Sequence, residues 1–180
     1  SYPNFPFTVY TRPFGEIELC MTKNYAYIDG ANLHNGIKSQ GWILDYRKLR
    51  IWLREKHAVS DAYLFIGLIP KYREMYKNLQ EAGYILVFKE VVYDGNGKPK
   101  GNCDADLVLQ ATRDYFEKKY DKAIIITSDG DYASLITLLL EKNALKILLS
   151  PAMENKCSIL LKKTGAPLTF LGQMRNILKK

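Results

Sequence analysis

The chain has 180 residues, 47% hydrophobic and 25% charged, enough for one domain with a substantial core. Lysine and arginine number 26 against 19 aspartates and glutamates, a net charge of +7 that permits a polyanionic partner without requiring one. No apolar run reaches membrane-spanning length, and no charged start leads an apolar segment, so neither a membrane partner nor a signal peptide is expected. The scattered cysteines Cys20, Cys103 and Cys157 predict free thiols in a reducing, cytoplasmic setting, and His34 and His57 are too few for a histidine-built zinc site.

Residues 1–22 stand apart, broken by Pro3, Pro6 and Pro13. Short strands at Phe7–Tyr10 and Glu16–Cys20 predict a hairpin, or an arm laid over the domain, and Met21 would make a natural start. The folded domain is expected over 23–180. Tyr25 to Ile28 reads as its first strand, closed by Asp29-Gly30-Ala31-Asn32. Asp29 or Asn32 could cap a following helix, but Asp29 comes early enough to face a crevice at the strand end.

Asp45 predicts the N-cap of a helix to about Lys56, with Leu49, Trp52 and Leu53 as its apolar stripe. Alternation from Ala62 to Ile69 gives a second strand, and Pro70 opens a helix stopping near Gly83. On it Tyr72 and Tyr76 share a face beside Lys71, Arg73 and Lys77, a pattern that serves either rim packing or the clamping of single-stranded nucleic acid. Tyr84 to Phe88 is a third strand. Val91–Tyr93 and the segment after Asp94-Gly95-Asn96-Gly97 predict a small hairpin.

A helix is expected from Asp104 to about Lys118, with Val108, Ala111, Thr112 and Tyr115 as its inward face. At about 100° per residue, Asp104 falls within about 40° of Val108 while Asp106 points nearly opposite. Ala123-Ile124-Ile125-Ile126 has the look of a buried parallel strand; it breaks at Ser128-Asp129-Gly130-Asp131 and resumes with helical spacing at Leu135, Ile136, Leu139 and Leu140. A strand over Ala144–Leu149, a helix from Met153 or Asn155 to Lys163, and a last short strand at Leu168–Leu171 complete the chain. Alternating strands and helices predict an α/β fold with a mainly parallel sheet and helices on both faces.

In such a sheet the strand ends would gather Asp29, Asp104, Asp129 and Asp131 in one cleft. Crowded carboxylates repel unless cations neutralise them, and oxygen ligands without histidine or thiolate select Mg2+ or Mn2+ over zinc. The surrounding lysines would then hold a polyanionic substrate against an otherwise repulsive pocket. Asn32 and Ser128 could position water or phosphate, and Lys98 or Lys100 could guide the strand. An aspartate-nucleophile phosphatase wants a second aspartate two residues after Asp29, where Ala31 stands, and no phosphate loop ending in lysine and serine or threonine occurs.

YIDGANL at 27–33, KGNCDADLVLQA at 100–111 and ITSDGDYASLI at 126–136 resemble the three signature blocks of NYN domains. These domains belong to the PIN-like nuclease superfamily and include LabA-like proteins. The resemblance runs from about Asn24 to Leu171. It implies a three-layer Rossmann-like domain of strand order 3-2-1-4-5 and Mg2+- or Mn2+-dependent cleavage of RNA, expected to be endonucleolytic and to leave a 5′-phosphate. Asp29, Asp104, Asp129 and Asp131 match the acidic metal-binding positions, and Asn32 the polar residue after the first. Such compact domains often pair, so a homodimer is an expected form. Two residues, Asn102 and Cys103, precede Asp104 where relatives commonly have one, which keeps Asp106 as an alternative metal ligand. Gly130 stands where relatives often carry serine, and is expected to loosen the loop.

Overall fold

A computed structural model describes residues 7–11, 17–90, 92–93, 99–100 and 103–180, with side chains over 22–89 and 103–180. Its centre is a six-stranded sheet whose strands all run parallel. Near the start, β1 (Phe7–Thr11) and β2 (Ile17–Met21) form an antiparallel pair. The sheet itself is built from β3 (Asn24–Asp29), β4 (Val59–Leu68), β5 (Tyr84–Glu90), β8 (Lys122–Ile126), β9 (Leu145–Ser150) and β10 (Leu168–Phe170). Between β5 and β8 a second, smaller antiparallel pair joins β6 (Val92–Tyr93) to β7 (Pro99–Lys100).

The spatial order is β10-β9-β8-β3-β4-β5. Counted from the first strand of the domain this is the expected 3-2-1-4-5, with β10 added beyond the fifth strand. The chain therefore builds outward from β3 in one direction, returns, and builds outward again from β8. The reversal leaves a crevice over the carboxyl ends of β3 and β8, where open α/β sheets bind ligands.

Alternating side chains of the central strands feed two cores. Ala26, Ile28, Ile124 and Ile126 pack toward α1 (Gly30–Lys38), α2 (Tyr46–His57) and α3 (Arg73–Glu81). Tyr25, Tyr27, Ala123 and Ile125 pack toward α4 (Asp104–Phe116), α5 (Ala133–Glu141) and α6 (Ile159–Lys163). Burial on both faces is why these strands read as near-continuous apolar runs.

Local signals set most boundaries. Asp45 caps α2 by accepting the N–H groups of Arg47 and Lys48 at 2.9 and 3.1 Å. Pro70 opens a 3-10 turn, Pro70–Tyr72, that runs into α3, and Gly83 follows the helix at a φ of +95°. A short α7 (Arg175–Leu178) ends the chain, tied to residue 44 by a bridge between Leu44 and Lys179.

Two expectations are corrected. The helix expected from Met153 or Asn155 starts later: Glu154–Lys156 is a 3-10 turn, and α6 begins only after Ser158, whose hydroxyl accepts the Leu160 N–H. The inward face of α4 is rotated from the one expected, with Leu107, Ala111 and Asp114 fully buried and Val108 and Tyr115 at its margin. A buried carboxylate explains the displacement, since Asp114 reads as a solvent position until its partners are known. It accepts from the Tyr27 hydroxyl at 2.9 Å, from the Gln110 amide, and from Lys119 at 3.1 Å. Among the described residues, no helix is long and apolar enough to cross a membrane.

Candidate metal centre at the sheet switch point

Asp29 is the last residue of β3 and the N-cap of α1, its carboxylate accepting the Asn32 N–H at 3.0 Å. The cap is thus Asp29 rather than Asn32. Gly30 follows because the helix begins directly against β4: a Cβ there would lie 2.7 Å from the Phe65 carbonyl oxygen and closer still to Ile66. Across the crevice β8 is followed by Thr127-Ser128-Asp129, and Asp129 caps the turn Gly130–Tyr132 by accepting the Asp131 N–H at 3.1 Å. Asp104 enters from the first residue of α4.

Each of Asp104, Asp129 and Asp131 offers a carboxylate oxygen within 4.8 Å of the other two. Asp29 is the buried neighbour of this trio. It is joined to it through Tyr132, whose hydroxyl contacts an Asp104 oxygen closely and an Asp29 oxygen at 3.4 Å. Burial pushes the Asp29 carboxyl above its usual range; the Asn32 N–H opposes that rise, and the charges of Asp104 and Asp129 add to it. Burial first, and then the bond to Asp104, drive the Tyr132 phenol strongly upward, so it stays protonated. Cys103 also lines the crevice; burial and then the charge of Asp29 push its thiol up to about 11, which leaves no thiolate nucleophile at neutral pH.

Asp106 is not part of this group: it faces away and forms an ion pair with Lys89 at 2.9 Å. Asn32 spans the crevice, its side-chain oxygen accepting the Ser128 N–H at 2.8 Å. The Ser128 hydroxyl lies 2.9 Å from that of Ser150 and accepts the Ala152 N–H at 3.0 Å. Asn32 therefore ties the loop after β3 to the loop after β8, while the Ser128 hydroxyl is committed to the end of β9. Lys98 lies outside the described residues, as does the side chain of Lys100.

The expectation that Gly130 loosens its loop is corrected. A Cβ at Gly130 would meet the Ser158 hydroxyl at 2.4 Å and Leu160 at 3.1 Å, so glycine lets the aspartate turn seat directly against the start of α6.

The crevice measures about 850 Å³ and is lined by Asp29, Asp104 and Asp129 together with Asn35, Lys156, Ser158, Ile66 and Gly67. Lys156 and Tyr132 are the two residues that sequence reasoning missed. Tyr132 was visible as the residue following the SDGD turn; Lys156 sits in a turn with no motif of its own.

Three or four hard oxygen donors, no histidine and a protonated thiol suit Mg2+ or Mn2+, so the residues present fit the cation expected from composition. The starts of α1 and α4, at Asp29 and Asp104, both border this crevice.

The NYN domain model matches residues 25–163. A 128-residue stretch is 27% identical to the "Low amplitude and bright protein LabA" of Synechococcus elongatus, covering 64% of this chain and 67% of that protein. Among solved structures, a Vibrio parahaemolyticus protein described as of unknown function superposes with a TM-score of 0.69 at 17% identity, over 88% of this chain and 96% of its own, a likeness of fold. With its three blocks converging on one crevice of the matched region, the chain belongs to the NYN domain family.

Proposed function

We propose that the protein is a metal-dependent ribonuclease that hydrolyses RNA phosphodiester bonds at the crevice between β3 and β8. The observation that carries this reading is the convergence of Asp104, Asp129 and Asp131 within 4.8 Å, beside buried Asp29, in a chain of net charge +7. A module evolved only to hold RNA gains nothing from carboxylates that repel phosphate. Family membership supports the same reading, since NYN domains are generally nucleases of the PIN-like fold.

In this reading Asp104, Asp129 and Asp131 hold Mg2+ or Mn2+, which when bound supplies a Lewis acid for the scissile phosphate and for water. Asp29 extends the carboxylate wall and keeps its place by capping α1. Tyr132 holds Asp29 and Asp104 in fixed relation without contributing charge. Asn32 has its oxygen engaged with Ser128, which turns its amide nitrogen into the available donor for a phosphate oxygen. Lys156 on the opposite wall offsets the strand's charge, and Lys98 and Lys100 are the further candidates for guiding it.

The test is direct. Purified protein with Mn2+ should cleave labelled single-stranded or structured RNA into products bearing 5′-phosphates. EDTA or Asp129→Asn should stop cleavage, whereas a pure binding module would hold RNA equally well in EDTA. Intact RNA across a varied panel, with Asp29→Asn indistinguishable from wild type, would sink the proposal.

A further inference from the structure

We propose that Tyr72, with Lys71, forms a stacking platform for an unpaired base of single-stranded RNA on the rim of the acidic crevice. This deepens the ribonuclease reading and rests on it for the identity of the strand. β4 lies directly beside β3, with Phe65 level with Asp29. β4 then runs three residues further, to Leu68, and its Ile66 and Gly67 form part of the crevice wall. At about 3.3 Å per residue, the chain leaving β4 stands ~10 Å above the acidic floor on the same edge of the sheet. Lys71 and Tyr72 occupy the turn that follows.

The two tyrosines of this segment have different uses. Tyr76 is only 7% exposed; its hydroxyl donates to the Gly67 carbonyl and accepts the Ile69 N–H, both at 2.9 Å, and its ring packs edge-on against Phe88 at 5.0 Å. It locks the end of β4 in place. Tyr72 is 41% exposed; its backbone N–H donates to the Ile69 carbonyl at 3.0 Å, and its hydroxyl makes no hydrogen bond among the described residues. Lys71 Nζ sits over its ring, 4.9 Å from the centroid, and is in no ion pair there. Leu68, also exposed, adjoins them.

A lone exposed tyrosine needs no explanation. Here an aromatic ring, a cation over it that is in no ion pair among the described residues, and a rigid anchor occur together, one strand away from the carboxylates. Stacking on an aromatic face tolerates any base but needs that base unpaired, because a duplex keeps its bases stacked internally. The site therefore selects single strands over duplexes and does little to choose among sequences.

The protein is tested by fluorescence anisotropy with a short labelled single strand and a blunt RNA duplex, with Ca2+ replacing Mn2+ to prevent cleavage. Tyr72→Ala should weaken single-strand binding on the order of tenfold. Duplex binding and the melting temperature should not change. Tyr72→Phe should bind as wild type, and in Tyr72→Trp the added indole fluorescence should be quenched by the single strand. Lys71→Ala should lower the slope of log affinity against log salt by about one.

Protein that cleaves RNA, but in which Tyr72→Ala binds single strands normally or loses single strands and duplex equally, overturns the platform and leaves the nuclease standing. A Tyr72 effect on binding in protein that never cleaves supports the platform and removes the nuclease. Loss of all RNA binding in wild type overturns both. A wild-type dimer that Tyr72→Ala dissolves, seen by light scattering without RNA, would assign the patch to a second copy and overturn the proposal.

Discussion

A phenol buried between two carboxylates has one proton to donate, so Tyr132 can satisfy Asp104 fully and Asp29 only at long range. Removing the hydroxyl takes away the donor that the two acids share, while Asp29 keeps the Asn32 N–H. Tyr132→Phe is expected to lose about 1–2 kcal/mol of stability, as buried groups deprived of a partner do. Thermal melts should show Mn2+ restoring part of that loss. Asp29→Asn has the opposite sign. It keeps the cap's oxygen while deleting a charge disfavoured by burial and by Asp104 and Asp129, so metal-free melting temperature should rise as activity falls. Gly130→Ala is the steric counterpart. Its methyl group would enter the Ser158 contact and cost about 1–2 kcal/mol, as overpacking does; a denaturant titration measures it, and an unchanged midpoint would contradict the close seating.

At the scale of elements, the two loops that carry the acids are held in register by one hydrogen bond between Asn32 and Ser128. α2 contributes elsewhere, through a buried histidine at its end. His57 packs edge-on against Trp52, its Nε2 has no hydrogen-bond partner among the described residues, and its pKa is lowered to about 4, by burial first and then by the charges of Lys146 and Lys56. The unfolded chain takes up this proton near the ordinary value of about 6.5, whereas the folded chain resists until about 4. The contribution is therefore complete above about pH 6.5 and lost as pH falls toward 4, amounting to on the order of 3 kcal/mol. His57→Phe, which keeps a ring against Trp52, should flatten stability across that window in chemical denaturation run at several pH values. Equal slopes for wild type and variant would contradict it.

For the molecule as a whole, the acidic crevice is a place where cation binding and folding are linked. A hundredfold excess of Mn2+ over its Kd should add about 2.7 kcal/mol, or roughly 5–10 °C of melting temperature for a chain of this size. Asp129→Asn should abolish most of the shift, and an equal shift in wild type and variant would place the ion elsewhere. The parallel strands and the cap at Asp45 were legible from the residues themselves, whereas the strand order around β3 came from the family resemblance. Doubly buried strands leave apolar runs, and caps and turns act over three or four residues. Tyr132 was not legible as part of the site, because an aromatic beginning an apolar helix looks like core; it is both. Asp114 was missed because a carboxylate on an amphipathic helix is ordinarily solvated, and only the approach of Tyr27, Gln110 and Lys119 makes burial tolerable. By itself the sequence determined that aspartates close the strands of a parallel sheet, since periodicity and turn chemistry are local properties. Only the tertiary structure decided that Asp104 joins Asp129 and Asp131, that Asp106 turns away to Lys89, and that Tyr72 faces solvent while Tyr76 does not. Those outcomes depend on the rotation of a packed helix and on which neighbour arrives from a distant part of the chain, and no short stretch of residues encodes either.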